Sequence, residues 1–184
     1  MTNKQSKLVF VIGLSGVGKT HIISNFIKNH NNFLHLKASS LIKQGLLTQD
    51  SEKIRKVSDK EIKYNQGILV KKLDEYKINN KKIILDGHII IDNEEKITPI
   101  PLEIIKRISP KIIILVQAPP EQILSHIDND KSRIRPQRSI NQVKENQDLQ
   151  EKIAKEYCST LNINLERVDC KNNNIFENLV INNV

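Results

Sequence analysis

The residues best suited to chemistry in this chain of 184 residues form one glycine-rich run. Gly13-Leu-Ser-Gly-Val-Gly-Lys-Thr20 fits the pattern G-x-x-x-x-G-K-[ST], and it follows an apolar run and precedes a helical one. Glycines there let successive backbone N–H groups approach phosphate oxygens, while Lys19 reaches the β- and γ-phosphates and Thr20 offers a hydroxyl to Mg²⁺. The predicted ATP contacts are Gly13, Ser15, Gly16, Val17, Gly18, Lys19, Thr20 and, through its backbone amide, His21.

Asp86 is a second candidate, because it directly follows an apolar run at residues 82–85. At the carboxyl end of a core strand, its carboxylate would hold a water of the Mg²⁺ shell beside Thr20, or orient an acceptor. The alternative is that Asp86 only caps the turn after the strand.

Two other classes of nucleotide-binding protein are disfavoured. Asn80-Lys-Lys-Ile83 lacks the aspartate of the Asn-Lys-x-Asp guanine motif, so a guanine-specific GTPase is not expected. Gly87 stands where motor ATPases carry a water-polarising glutamate. A kinase is therefore the favoured class.

A kinase also needs cations that neutralise phosphoryl oxygens and a lid that excludes water. Arginine suits phosphoryl oxygens through its planar fork, and a mobile arginine can stabilise a loose transition state. Four basic residues share an irregular segment at residues 128–138: Lys131, Arg133, Arg135 and Arg138. Arg55, alone among lysines, stands where an acceptor site is expected. Each of these charges could instead be a solvated surface group.

The elements that must position these residues alternate between strands and helices, which is typical of a parallel sheet covered on both faces. Apolar or alternating runs predict strands at residues 7–12, 33–37, 82–85, 111–116 and 162–168, the last nearer an edge. Helices are expected at residues 21–29, 58–76, 102–108 with Pro101 in the first helical position, 119–127 and 139–160, and after Asn172. Residues 94–101 are expected to be an irregular loop.

The predicted fold is therefore an α/β, doubly wound, five-stranded parallel sheet with flanking helices. We expect a single domain over residues 1–184, with an acceptor-binding insert at about residues 38–78 and a short mobile lid at about residues 128–138.

Composition narrows the class of protein further. The chain has 29 Lys and Arg against 21 Asp and Glu, and its net charge of +8 is compatible with phosphate ligands, nucleic acid or a lysine-rich bias. Its apolar runs are far shorter than the roughly 20 residues that span a bilayer, so we expect no membrane partner and a cytoplasmic location. Cys158 and Cys170 supply neither a disulfide framework nor four zinc ligands, so no structural zinc is expected and both are interpreted as small half-buried residues.

The chain also resembles the nucleoside monophosphate kinases over nearly its whole length. The resemblance is strongest to archaeal-type adenylate kinases and to the eukaryotic nuclear adenylate kinase linked to ribosome assembly. It is carried by Gly13 to Thr20, Ile54-Arg-Lys-Val57 before a helix with Gln66, Ile84-Leu-Asp-Gly-His88, residues 109–115, and Ser132-Arg-Ile-Arg135 before a long helix. In the bacterial-type adenylate kinases, Asp-Gly precedes a phenylalanine, a proline and an acceptor-binding arginine, whereas His88-Ile-Ile follows here.

This resemblance implies roles for individual residues. Asp86 and His88 would lie where the two nucleotides meet, and Arg55 and Gln66 would contact the acceptor nucleotide. Arg133 and Arg135 would act from the lid as catalytic residues, Arg133 also binding ATP and Arg135 the acceptor.

The sequence thus predicts a Mg²⁺-dependent enzyme that moves the γ-phosphoryl group of ATP to a nucleoside monophosphate, most consistently AMP, with Lys19 and Asp86 among its catalytic residues. One alternative is an ATP-dependent factor with weak ATPase activity that binds RNA or a ribosomal partner, which the basic charge would suit. Another is a kinase whose acceptor is a nucleoside, another small alcohol or a polynucleotide 5′ end, in which case Asp86 would act as the base.

Overall fold

The computed structural model describes residues 7–46, 58–78, 81–93, 96–130 and 137–184. Its strands are β1 Leu8–Ile12, β2 Phe33–Lys37, β3 Lys82–Asp86, β4 Ile90–Asp92, β5 Ile97–Pro99, β6 Ile112–Gln117 and β7 Asn164–Asp169. Five of them form a parallel sheet in the order β2-β3-β1-β6-β7. β7 lies at an edge, as its alternating sequence predicts.

Helices fill the connections between these strands. They are α1 Lys19–Asn29, α2 Ala38–Leu46, α3 Asp59–Lys77, α4 Leu102–Ile108, α5 Pro120–Asn129, α6 Ile140–Leu161 and α7 Asn173–Asn183. The predicted capping boxes are present at α3 and α6, where Ser58 and Ser139 each accept a hydrogen bond from the third helical backbone N–H. Asn172 caps α7 in a similar way through Ile175.

The centre of the sheet is buried on both faces, because every residue of β1 is apolar and enclosed. Leu8, Phe10 and Ile12 belong to one buried cluster, which α3, α4 and most of α6 cover. Val9 and Val11 belong to a second cluster on the opposite face, which α1, α5 and α7 cover. The predicted doubly wound, five-stranded parallel sheet with flanking helices is confirmed.

Some local expectations were wrong. Residues 97–99 of the expected irregular loop form β5, which pairs antiparallel with β4 in a small separate sheet. The pairing is stabilised by apolar contact, since Ile91 and Ile97 pack against the main core. Pro101 is the N-cap of α4 and not its first helical residue.

Further differences concern helix ends and burial. α2 was not predicted as a separate helix, and α5 continues through Asn129, into the segment expected to be irregular. Cys158 and Cys170 are buried, not half-buried. None of the helices in the described ranges combines the length and apolarity that crossing a lipid bilayer requires.

Candidate active site

The glycine-rich loop connects β1 to α1 at the carboxyl edge of the sheet. Gly18, the N-cap of α1, has a φ of 101°, a conformation that L side chains rarely adopt. A Cβ atom there would lie 3.1 Å from Cβ of Cys170. The loop backbone can therefore pass close under the β7–α7 connection and aim the first amides of α1 into the cleft above it, where a phosphate would be stabilised.

Lys19 lies over this loop. Its side chain is enclosed, with the residue only 6% exposed, and Nζ donates hydrogen bonds to the carbonyl oxygens of Gly13 at 2.7 Å and Leu14 at 3.0 Å. These two hydrogen bonds hold the ammonium group beside the loop backbone. The role of Lys19 in phosphate binding stays a prediction.

Thr20 and Asp86 meet at the start of α1. The Thr20 hydroxyl donates to Oδ2 of Asp86 at 3.0 Å. The contact follows from topology, since β3 lies next to β1 in parallel register, with Asp86 opposite Val11. Two residues 66 positions apart in sequence are thus brought to one point.

His35 is a neighbour of Asp86 that the sequence analysis missed. It lies on β2, the strand beside β3, and its Nε2 is 3.6 Å from Oδ2 of Asp86. At that distance the contact is longer than a hydrogen bond. Nε2 is buried and has no hydrogen-bond partner among the described residues. In the sequence, only the position of His35 within the run that forms β2 could have indicated this contact, and its use would have required knowing that β2 pairs with β3.

Asp86 is only 8% exposed, yet its carboxyl group is strongly acidic. Burial acts to raise its pKa, but the imidazole of His35, the nearby Lys19 and His88 and the hydrogen bond from Thr20 outweigh burial and lower the pKa from 3.8 to about 2. The side chain is therefore a carboxylate at neutral pH.

The pair of Thr20 and Asp86 fits Mg²⁺. Its donors are a hydroxyl and an ionised carboxylate, which are the hard oxygen ligands that this cation prefers, and both side chains reach one cleft. Mg²⁺ usually keeps several waters and binds through one or two protein oxygens, so this small donor set is enough.

Two imidazoles contact the backbone of the loop. Nδ1 of His88 lies 2.9 Å from the carbonyl oxygen of Gly13, and Nδ1 of His126 lies 2.8 Å from that of Gly16. Because a carbonyl only accepts, each Nδ1 carries the proton and donates. His88 thus contacts the phosphate loop itself. His126, on α5, is a loop contact that no motif indicated.

Two adjoining cavities open at this edge of the sheet. The larger cavity, of about 1000 Å³, contains the glycine-rich loop and extends toward α5 and the β7–α7 connection, where Gln122 and Lys171 line it. The smaller cavity, of about 350 Å³, is walled largely by isoleucines and leucines of α3, α4 and β4. The two cavities share one wall: Leu14, Ser15, Lys37, Ala38, Ser39 and His88.

The predicted residues fall into three groups. Lys19, Thr20, Asp86 and His88 come together around the loop, with His21 at the rim of the larger cavity. Gln66 lines the smaller cavity from α3 and is only 7% exposed. Arg55, Lys131, Arg133 and Arg135 lie outside the described residues.

Arg138 is the one member of the basic segment that the described ranges include. It makes a two-point ion pair with Asp92 on the wall of the smaller cavity. Asp92 was not singled out in the sequence, because its partner lies 46 positions away.

Comparisons with known proteins place this site in a family. Residues 12–144 match the AAA domain family. The adenylate kinase of Methanothermobacter thermautotrophicus is 24% identical over 174 residues, covering 92% of this chain and 93% of that protein. The adenylate kinase of Pyrococcus abyssi is 28% identical over 159 residues, covering 83% of this chain and 80% of that protein.

Solved structures share the fold. A shikimate kinase from Acinetobacter baumannii, in complex with shikimate, superposes with a TM-score of 0.59 at 17% identity, covering 96% of this chain and 93% of that one. A sugar kinase from Janibacter sp. HTCC2649 gives a TM-score of 0.58 at 12% identity, covering 96% of this chain and 92% of that one. The chain belongs to the AAA domain family of P-loop proteins and is a P-loop phosphotransferase of the kinase type.

Proposed function

We propose that this protein is a Mg²⁺-dependent nucleoside monophosphate kinase that transfers the γ-phosphoryl group of ATP to AMP. One observation carries the proposal: two cavities of nucleotide dimensions meet at the wall they share, beside Lys19, Thr20 and Asp86. A kinase of this class must hold two nucleotides with their phosphates in line, and adjoining cavities allow that.

The donor nucleotide would occupy the larger cavity, which we therefore call the donor cavity. The loop amides and Lys19 would bind the β- and γ-phosphates, and Thr20 with Asp86 would hold the hydrated metal. Mg²⁺, when bound, neutralises charge on the phosphate oxygens. His88 and His126 would keep the loop peptides oriented through their bonds to Gly13 and Gly16.

The acceptor would occupy the smaller cavity, which we therefore call the acceptor cavity. Its isoleucine- and leucine-rich walls suit a nucleobase, and the buried amide of Gln66 can both donate and accept at a base edge. Lys37, Ser39 and His88 on the shared wall would face the acceptor phosphate. The insert at about residues 38–78 would then form the acceptor side.

Charge neutralisation would supply most of the catalysis, because a phosphate acceptor is already anionic and needs no general base. Arg55, Arg133 and Arg135 would contribute positive charge, with Arg133 and Arg135 acting from the lid; these roles remain predictions. A neutral alcohol acceptor would need a base. Asp86 is a poor one, since its pKa is about 2 and Thr20 donates to it.

Lys19→Ala tests the proposal. Removing the ammonium group should lower the rate of phosphoryl transfer from ATP to AMP by about 100-fold or more, because this group stabilises charge in the transition state. The circular dichroism spectrum should stay unchanged, since the fold does not depend on this group. Lys28→Ala is the matched control, since this exposed lysine lies on the same helix outside both cavities. Wild-type turnover in Lys19→Ala would refute the proposal.

The acceptor is tested by following labelled γ-phosphoryl groups. We expect label on AMP in preference to nucleosides, small alcohols and RNA 5′ ends. Label on an alcohol with none on AMP would leave a kinase but reject the acceptor. The alternative of an RNA-associated ATPase gains no support from the relatives named above, which are kinases.

A further inference from the structure

We propose that Asp92 and Arg138 are a positioning pair for the acceptor cavity, an inference that rests on the proposed function. Nη2 of Arg138 donates to Oδ1 of Asp92 at 2.6 Å, and Nε donates to Oδ2 at 3.2 Å. Two parallel bonds fix a guanidinium group in orientation as well as in position. The pair can therefore hold its two chain segments in one relative geometry.

The two segments both line the acceptor cavity. Asp92 ends β4, whose Ile90 and Ile91 are lining residues. Arg138 immediately precedes Ser139, the N-cap of α6, and α6 contributes Val143 and Asn146 to the same cavity. The ion pair thus connects two parts of the cavity wall that no backbone hydrogen bond joins among the described residues.

The middle and the end of α6 are attached to the rest of the fold by other bonds. Gln147 donates to the carbonyl oxygen of Ala118 at 3.0 Å, and the Tyr157 hydroxyl donates to that of Ile100 at 2.9 Å. Without the Asp92 pair, α6 would stay folded and docked, but its first turn could move relative to β4. That movement would change the acceptor cavity, whereas the donor cavity is lined by neither member of the pair.

The environment makes this pair stronger than an ordinary surface pair. The side chains of Arg138 and Asp92 are 19% and 27% exposed, beside mainly apolar walls, so water and salt screen them only in part. Arg167 and Glu151 form a matched pair at 2.8 Å outside both cavities, with Arg167 57% exposed. Exposed pairs of that kind contribute little.

A rival role for Arg138 is direct binding of the acceptor phosphate. The two roles predict opposite effects at Asp92. If the pair positions the wall, Asp92→Asn and Arg138→Gln should both weaken acceptor binding. If Arg138 binds the phosphate directly, Asp92→Asn should leave acceptor binding unchanged or strengthen it, since it removes a competing carboxylate.

The kinetic experiment uses Arg138→Gln, Asp92→Asn, the double variant and the control Arg167→Gln. We expect each single variant to raise the KM for AMP about fivefold to tenfold, with the KM for ATP changed less than about twofold. The double variant should be no worse than either single one, and Arg167→Gln should match wild type. An unchanged or lowered AMP KM in Asp92→Asn, or equal rises for ATP and AMP with a lower Tm, would overturn the proposal.

Hydrogen exchange gives a readout that does not need activity. Arg138→Gln and Asp92→Asn should speed amide exchange severalfold in β4 and in the first turn of α6, with the rest of the sheet unchanged. Unchanged exchange in both variants would overturn the positioning pair. If wild type phosphorylates no acceptor, the proposed function fails, and the exchange result still decides the pair.

Discussion

Asp86 stays strongly acidic despite its burial because of four neighbours. His35, Lys19, His88 and Thr20 together outweigh the effect of burial on the pKa of the carboxyl group. The position of Asp86 at the end of a core strand was predictable from the apolar run before it. The approach of His35 and Lys19 was not predictable, because they come from β2 and α1 and meet Asp86 only in the folded sheet.

The acidity of Asp86 predicts a pH dependence of stability. Because the pKa falls from 3.8 to about 2 on folding, the ionised group stabilises the fold at pH values above about 4 and loses this effect as the pH falls toward 2. At neutral pH the ionised carboxylate contributes about 2 kcal/mol to the free energy of unfolding, and about half of this contribution should be lost by pH 3.

Urea unfolding of wild type and Asp86→Asn at pH 6 and pH 3 measures this contribution of the Asp86 carboxylate to stability. The difference in unfolding free energy between the two proteins should shrink by about 1 kcal/mol at pH 3. A difference that is independent of pH would show that the folded protein does not hold the Asp86 pKa below its ordinary value.

At the scale of elements, α2 and α3 pack together beside the smaller cavity and both contribute lining residues to it. Gly45 on α2 faces Ile68 on α3, and a Cβ atom at Gly45 would collide with the Ile68 side chain. Gly67, one residue earlier on α3, has open space around the position of a Cβ. Two glycines in neighbouring helices therefore have different roles, and sequence alone does not distinguish them.

Alanine substitutions should separate these roles. Gly45→Ala should lower the unfolding free energy by about 1–3 kcal/mol, because the helices must separate to admit the methyl group. Gly67→Ala should raise it by about 0.5–1 kcal/mol through helix propensity. Urea denaturation midpoints measure both effects, and changes of the same sign would contradict the proposed helix contact.

At the scale of the whole molecule, strand order creates the site. β1 lies between β3 and β6, so the connections after β1 and β3 open at the same edge of the sheet. This is the edge where open α/β sheets bind ligands. Lysines 19, 37, 43 and 171 line the two cavities there, so part of the basic charge faces the proposed phosphate positions.

Because the cavities adjoin, one ligand that spans both should bind more tightly than either nucleotide. Diadenosine pentaphosphate joins two adenosines through a phosphate chain and avoids the entropy cost of a second binding event. At equal concentrations it should raise Tm more than ATP or AMP does, which thermal unfolding measures. A shift no larger than that of ATP alone would mean that the two cavities are not filled together.

The strands, most helices and the phosphate loop were predictable because their signals are local. A buried strand needs a short apolar run, a helix start needs a capping side chain, and a phosphate loop needs glycines beside a lysine. The short β4–β5 hairpin was missed because its three-residue strands lack a local signal and are stabilised by contact with the main core. α2 was missed as a separate helix within the expected insert.

The sequence by itself thus determined the order of elements and the chemistry available at Gly13 to Thr20, since both depend on residues close together in the chain. Only the tertiary structure decided which distant residues meet: His35 with Asp86, His126 with the loop, and Asp92 with Arg138. The physical reason is that strand order and helix packing set distances between residues far apart in sequence. Those distances decide which charges are paired and which group faces each cavity.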